Sequence, residues 1–166
     1  MKKVFIKMFT FVSIVLLDSG LAFSQSNNFV TNVISSDSIT YGQTAYLIMC
    51  DLNLVQESAS ESEAVYALEE NFPKLVAKLS IQNVEQKLTA KQFSYICYSV
   101  YDVKTSLMFM ICKTPRYAFR QMKAANYFAQ NEAPSVNVSG RKALLIIADL
   151  SEKASKTQAQ SMMMSR

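Results

Sequence analysis

Apolar side chains return with helical spacing in three segments of the chain. The segments follow Thr40, Thr89 and Ser139, which lie 49 and 50 residues apart. Four, seven and eight residues after each of these positions the side chain is apolar or small, which places the three on one stripe of an α-helix. These residues are Thr44, Leu47 and Ile48, then Phe93, Ile96 and Cys97, then Ala143, Ile146 and Ile147. We therefore predict apolar helices at 40–54, 89–103 and 139–151, packed together at the centre of the fold.

A second kind of helix is predicted ahead of the last two. The segments "AVYALEENF" (64–72) and "PRYAFRQMKAANYF" (115–128) match at Tyr66 and Tyr117, with an offset of 51 residues. The first apolar helix has only "NNFVTNVISSD" (27–37) in the corresponding place. Two landmarks that recur at nearly the same period indicate an internal repeat, and the terminal unit of a repeat is often atypical.

Polar residues at the predicted helix starts support this division. Thr40 with Gln43, Thr89 with Gln92 and Ser60 with Glu63 have the spacing of a capping box, in which the two side chains bond each other's backbone N–H. The third apolar helix has Lys142 in place of the Gln. Thr114 is a predicted cap, and Pro115 suits the first helical position because the N–H it lacks would be unpaired there.

The predicted fold class is all-α, with two to three degenerate helix-loop-helix repeats packed into one compact bundle. The units are placed at about 28–55, 60–103 and 114–152, within a single domain of residues 25–153. Residues 154–166 are polar and then rich in Met, and we expect them to form a disordered tail.

Residues 1–24 have the pattern of a secretory signal peptide. Lys2, Lys3 and Lys7 precede a short apolar run, and Ala22 and Ser24 suit a cleavage site before Gln25. The apolar run is too short to span a bilayer, and the mature chain has no later segment that is long and apolar enough. We expect an exported protein, periplasmic or associated with the cell envelope.

The charge of the chain is small but unevenly distributed. Without residues 1–24, 14 basic and 12 acidic residues remain, and a net charge of +2 does not indicate nucleic acid as a partner. Residues 51–70 contain six acids and no base, whereas residues 103–131 contain five bases and no acid. This pattern is typical of solvated helix faces, or of a polarised contact surface.

The composition argues against an enzyme. The chain has no His and only three Gly, which excludes His-dependent catalytic arrangements and the usual phosphate-binding loops. We expect no catalytic residue, no cofactor and no metal site. The three cysteines, Cys50, Cys97 and Cys112, leave at least one thiol outside any internal pairing. A Cys97–Cys112 disulfide and buried free thiols both remain open, and "LMFMIC" (107–112) is interpreted as core, as a link, or as a partner surface.

The predicted binding residues are basic and aromatic. Arg116, Arg120 and Lys123 lie at i, i+4 and i+7, so they share one helix face, and Tyr117 lies beside it. Arg141 adds positive charge to a helix start, where backbone N–H groups favour anions. Together they suit an anionic glycan, a phospholipid surface or an acidic protein. The alternatives are a solvated helix face and ordinary capping.

The period, the capped apolar helix and the number of units resemble the S-layer homology family. Residues 120–150, "RQMKAANYFAQNEAPSVNVSGRKALLIIADL", are similar to one whole repeat, and residues 39–54 are similar to its second helix. "PRYAFRQM" (115–122) also resembles small exported envelope proteins of spiral-shaped diderm bacteria that carry such repeats. The family binds cell-wall glycan partly through an Arg at the start of its second helix. The matching residues in this chain are Tyr41, Ala90 and Gly140.

These observations favour an exported, non-enzymatic binding module that contacts an anionic glycan or another envelope surface. The expected partners are a cell-wall glycan or an envelope protein, with peripheral contact to a membrane. The alternative is a periplasmic structural or adaptor protein that makes protein–protein contacts through its opposed acidic and basic regions.

Overall fold

The computed structural model describes residues 28–101 and 113–164 of the chain. Within these ranges the regular structure is helical, and β-structure is limited to two isolated antiparallel bridges, Thr40 with Lys87 and Thr89 with Asn137. The predicted all-α fold class is confirmed. The predicted signal peptide (1–24), the apolar segment 107–112 and Cys112 lie outside the described residues.

The helices follow the predicted order. They are α1 (28–35), α2 (Tyr41–Asp51), α3 (Glu61–Asn71), α4 (Pro73–Val76), α5 (Ala90–Val100), α6 (Pro115–Ala124) and α7 (Gly140–Met164). Helices α2 and α6 end earlier than predicted. In the turn after each, Asn53 and Asn126 have φ values of 55° and 65°. Asn tolerates this left-handed conformation, which stops a helix.

The predicted side-chain caps form at the starts of α2 and α5, but not at the start of α6. Thr40 and Gln43 form the predicted box, with bonds of 3.1 and 3.2 Å. At α5 the Gln92 side chain accepts from the Thr89 N–H at 3.1 Å, and the Thr89 hydroxyl donates to the same Gln oxygen at 2.6 Å. The predicted cap at Thr114 is only positional, because its side chain makes no capping hydrogen bond.

The apolar stripes predicted from the sequence are buried, except that Leu47 on α2 is half-buried. The residues four and eight places after Thr40, Thr89 and Ser139 are at most 5% exposed; they are Thr44, Ile48, Phe93, Cys97, Ala143 and Ile147. Helix α2 packs on α3, α5 packs on α6, and α7 contacts α2. On α7 the burial is one-sided, since Leu145 is 68% exposed. One face of this helix therefore lies in the core, and the opposite face is in contact with solvent.

The chain segments before α2, α5 and α7 meet in a closed ring of backbone hydrogen bonds. Leu88 donates to the carbonyl oxygen of Ile39 at 3.0 Å, Ile39 donates to Val138 at 2.7 Å, and Val138 donates to Leu88 at 3.3 Å. All three side chains are at most 1% exposed. Each residue immediately precedes one of the aligned positions, so the three helix starts are placed equivalently around the ring. The division into repeats itself stays a prediction.

Helix α1 completes this arrangement. Gly140 donates to the Ser36 carbonyl oxygen at 3.1 Å, and a Cβ at Gly140 would overlap the carbonyl oxygen of Val33. The close approach of two backbones therefore requires glycine at the start of α7.

The structure differs from the expected disordered tail at 154–166, because α7 continues to Met164. Ala, Lys and Gln in this stretch favour a helix, and Glu152 pairs with Lys156 at 2.5 Å one turn later. The polar composition that indicated disorder also fits a helix end without tertiary packing, and its described side chains after Ala154 are exposed.

Among the described helices, including the 25-residue α7, none combines the length and the apolar character that crossing a bilayer requires.

Candidate functional site

The basic face predicted on α6 is present as a pair of arginines. Arg116 and Arg120 are exposed, and their i, i+4 spacing puts them side by side on the helix. Within the described part of the chain, neither guanidinium has a hydrogen bond or an ion pair. Two unpaired guanidinium groups on one rigid helix form a surface suited to a carboxylate- or phosphate-bearing partner.

Tyr117 and Lys123 contribute mainly to packing. The Tyr117 side chain is half-buried against the core. The Lys123 ammonium donates to the carbonyl oxygens of Gln130 and Glu132 at 2.6 and 3.2 Å, and it lies 5.5 Å from the centre of the Phe119 ring. These contacts hold the loop after α6 against its helix, so Lys123 is already engaged.

Arg141 lies on a different helix from the arginine pair. It is exposed in the first turn of α7. Its neighbour Lys142 forms a 2.7 Å ion pair with Glu132 and lies 4.5 Å from the Phe128 ring centre. The structure thus brings Arg116 and Arg120 together, while no hydrogen bond or ion pair of the described residues joins Arg141 to them.

The third apolar helix has this ion pair at the position where the other two have a capping Gln. Ser139 accepts from the Lys142 N–H at only 3.4 Å, and the Lys142 side chain turns away to Glu132. Burial alone would raise the pKa of Glu132, but the hydrogen bonds from Lys142 and the Ala129 N–H lower it below its usual range. Glu132 is therefore charged at neutral pH and fixes the loop before α7.

A second polar cluster joins the far ends of the apolar helices. The Asp51 carboxylate accepts from the Tyr101 hydroxyl at 2.7 Å and from the Ser151 hydroxyl at 2.9 Å. Burial first, and then the bond to Asp51, raise the pKa of Tyr101. Each of these groups has a partner from another segment, so the cluster is a structural link and does not present a free reactive group.

A similar cluster connects the end of the α6 loop to α7. Lys153 bonds the Asp149 carboxylate at 2.7 Å and the Tyr127 hydroxyl at 2.8 Å, and Tyr127 donates to Asp149. The bond from Lys153, followed by that from Tyr127, lowers the pKa of Asp149. The charges of Lys153 and Asp149 compensate each other and Tyr127 bonds to both groups, which argues for a role in docking the loop.

The described cysteines are not activated nucleophiles. Cys97 is fully buried, and burial raises the pKa of its thiol. Burial also raises the pKa of the half-buried Cys50, so both thiols are protonated at neutral pH. Cys50 and Cys97 do not pair with each other. The Cys97–Cys112 alternative involves a residue outside the described ranges. Within those ranges, no group of three or more Cys, Asp or Glu side chains could hold a metal ion.

A small cavity on the acidic side of the molecule was not predicted from the sequence. About 200 Å³ in volume, it is lined by Phe29, Tyr46 and residues 57–61. The only sequence signal for it was the run of acids at 51–70. Its aromatic wall could not be predicted, because Phe29 comes from another helix.

The three residues aligned with the glycan-binding Arg of S-layer homology repeats are all buried. Tyr41 and Ala90 are each 2% exposed, and Gly140 is buried beside the Val33 backbone. In this chain the three aligned residues therefore pack around the ring of backbone hydrogen bonds, and none of them is exposed to a ligand. Comparison of the chain with protein-family models, curated protein sequences and solved structures gives no match, and the resemblance to the S-layer homology family rests on the spaced motifs alone.

Proposed function

We propose that this chain is an exported, non-enzymatic binding module of the cell envelope. Its Arg116–Arg120 pair contacts an anionic glycan or an equivalent anionic envelope surface. The observation that supports this proposal is the exposure of both guanidinium groups without any partner in the described part of the chain. An unpaired charge pair is available to a ligand, whereas Lys123 and Lys142 are occupied by the loop at 130–132.

The chemistry of the pair suits such a ligand. A guanidinium presents a planar fork of N–H donors that matches the two oxygens of a carboxylate or phosphate. The partly exposed ring of Tyr117 lies next to the pair on α6 and supplies an apolar face against which a sugar can pack. Because the arginines are solvent-exposed, binding should weaken as salt screens the charges.

The experiment is a pull-down of the purified protein with isolated cell-wall sacculi. We expect salt-sensitive co-sedimentation that is lost in the Arg116→Ala/Arg120→Ala double variant. The matched control is Lys87→Ala/Lys91→Ala, which removes two exposed positive charges from another part of the surface. Equal loss in both double variants would indicate a general charge effect and would contradict a site at the arginine pair.

The alternative is a structural or adaptor protein of the periplasm. It is favoured by the separation of the charges onto two helix pairs, with acids on α3 and bases on α6. Under this alternative the protein does not bind sacculi. Instead it forms a salt-sensitive protein complex that is weakened both by Arg116→Ala/Arg120→Ala and by Glu69→Gln/Glu70→Gln. Sedimentation of the purified protein, with and without sacculi, separates the two functions.

A further inference from the structure

The cavity on the acidic side has a preformed aromatic wall. The ring centres of Phe29 and Tyr46 lie 4.3 Å apart with their planes inclined by 51°. The Tyr46 hydroxyl donates to the carbonyl oxygen of Glu57 at 2.6 Å. This bond fixes the loop that enters α3 against the Tyr46 ring.

Two glutamates, Glu57 and Glu61, line the same cavity, and the described residues do not neutralise their charge. Neither Glu57 nor Glu61 has a side-chain hydrogen bond or an ion pair there. Burial, and then the charge of Glu85, raise the pKa of Glu61. Burial, the Cys50 thiol and the charge of Glu57 raise the pKa of Tyr46 to about 12. The negative charge at the cavity is therefore poorly compensated, and residues 51–70 contain no base to compensate it.

We propose that this cavity binds a cationic group carried on an apolar stem, such as a lysine side chain or a small alkylamine. A cation is attracted to the faces of aromatic rings, and a carboxylate supplies a charged hydrogen-bond acceptor. At about 200 Å³ the cavity has room for one group of side-chain size, since pockets for larger ligands exceed about 300 Å³. This site is separate from the arginine pair on α6 and has the opposite charge preference.

The test is calorimetric titration of the full chain with three probes: N-acetyl-lysine methylamide, 1-aminopentane and the neutral N-acetyl-norleucine methylamide. We expect both cationic probes to bind at least about tenfold more tightly than the neutral one. A further preference for the lysine derivative shows that the flanking peptide groups are also recognised, and equal affinities show that the ammonium and its apolar stem are sufficient. Equal binding of the neutral probe, or no binding of either cation at millimolar concentration, overturns the proposal.

Variants locate the site. Glu57→Gln/Glu61→Gln should weaken binding of the cationic probes by about tenfold or more, whereas Glu69→Gln/Glu70→Gln removes the same charge from exposed positions on α3 and should leave it within about twofold. Glu57 is exposed and not packed in the core, so the single Glu57→Gln variant keeps the fold and should show part of the loss. An equal loss in the Glu69/Glu70 control would show a long-range field effect and overturn the site.

Discussion

The helix pairs α2–α3 and α5–α6 have the same design but opposite surfaces. In each pair an apolar helix that starts at the backbone ring packs on a second, more polar helix. The buried positions of the second helices agree, since Leu68 and Phe119 are 0% and 3% exposed. Their outer faces differ completely: α3 carries Glu61, Glu63, Glu69 and Glu70, and α6 carries Arg116, Arg120 and Lys123.

Two different constraints act on the sequences of these helix pairs. Positions that face the partner helix must be apolar and of suitable volume, because burial drives the packing. Positions that face solvent contribute little to stability, so their charges can be chosen for a partner. Folding therefore does not require the opposite charges of the two helix pairs, and the proposed contacts with a partner are compatible with them.

The largest expected change in stability comes from truncating the buried side chain of each polar helix. These substitutions test whether both helix pairs are equally part of the core. Leu68→Ala should lower the free energy of unfolding by about 2–5 kcal/mol and Phe119→Ala by about 3–5 kcal/mol, because each leaves a cavity. Urea denaturation followed by circular dichroism measures both. The control is Tyr66→Ala, a neighbour of Leu68 that is 69% exposed, and its effect should stay within about 0.5 kcal/mol. A small effect at only one of the two buried positions would break the equivalence of the pairs.

A smaller effect distinguishes the starts of the two polar helices. Ser60 accepts from the Glu63 N–H at 3.2 Å and its own N–H donates to the Glu63 carboxylate at 2.7 Å, whereas Thr114 makes no capping bond through its side chain. Ser60→Ala should therefore cost about 1 kcal/mol of unfolding free energy and Thr114→Ala only a few tenths. The same urea experiment compares the two, and equal losses would contradict the difference in capping.

The smallest effect is a dependence on pH that, of the two polar helix starts, only the start of α3 should show. The bonds from the Ser60 N–H and hydroxyl lower the pKa of Glu63, so the ionised form stabilises α3 at a pH above the value for an unfolded Glu, near 4.3. This stabilisation is lost as the pH falls through the lowered pKa of the folded state. The melting temperature of the wild type, relative to that of Glu63→Gln, should therefore fall as the pH is lowered from 7 to 3.

The α6 start provides the matched control for this measurement. It has no acidic residue in its first turn, so Thr114→Ala should show the same difference from the wild type at both pH values. A difference for Glu63→Gln that does not change with pH would mean that the Ser60–Glu63 bonds do not stabilise the folded state.

The elements predicted best are those whose signal is local. Thr40 and Gln43 lie three residues apart, and the apolar stripe after them spans less than three turns, so neighbouring residues alone indicate the helix. The surroundings of the basic residues were predicted less well than the helix starts. Lys123 shares the helix face of Arg120 in the sequence, but the carbonyl oxygens that engage it belong to a loop whose path the sequence pattern does not reveal. Arg141 was predicted as part of the same site because it is basic. The charge of a residue does not indicate how far it lies from other residues in the fold.

The sequence by itself determined that the chain is helical, where most of its helices begin and which of their faces are apolar, because these properties depend on residues within a turn or two of one another. Only the tertiary structure decided that Ile39, Leu88 and Val138 close a ring of backbone hydrogen bonds, that Gly140 must be glycine and that Phe29 meets Tyr46 beside two unpaired carboxylates. Backbone hydrogen bonds are available to almost every residue type, and contacts between distant segments depend on the packing of the whole chain.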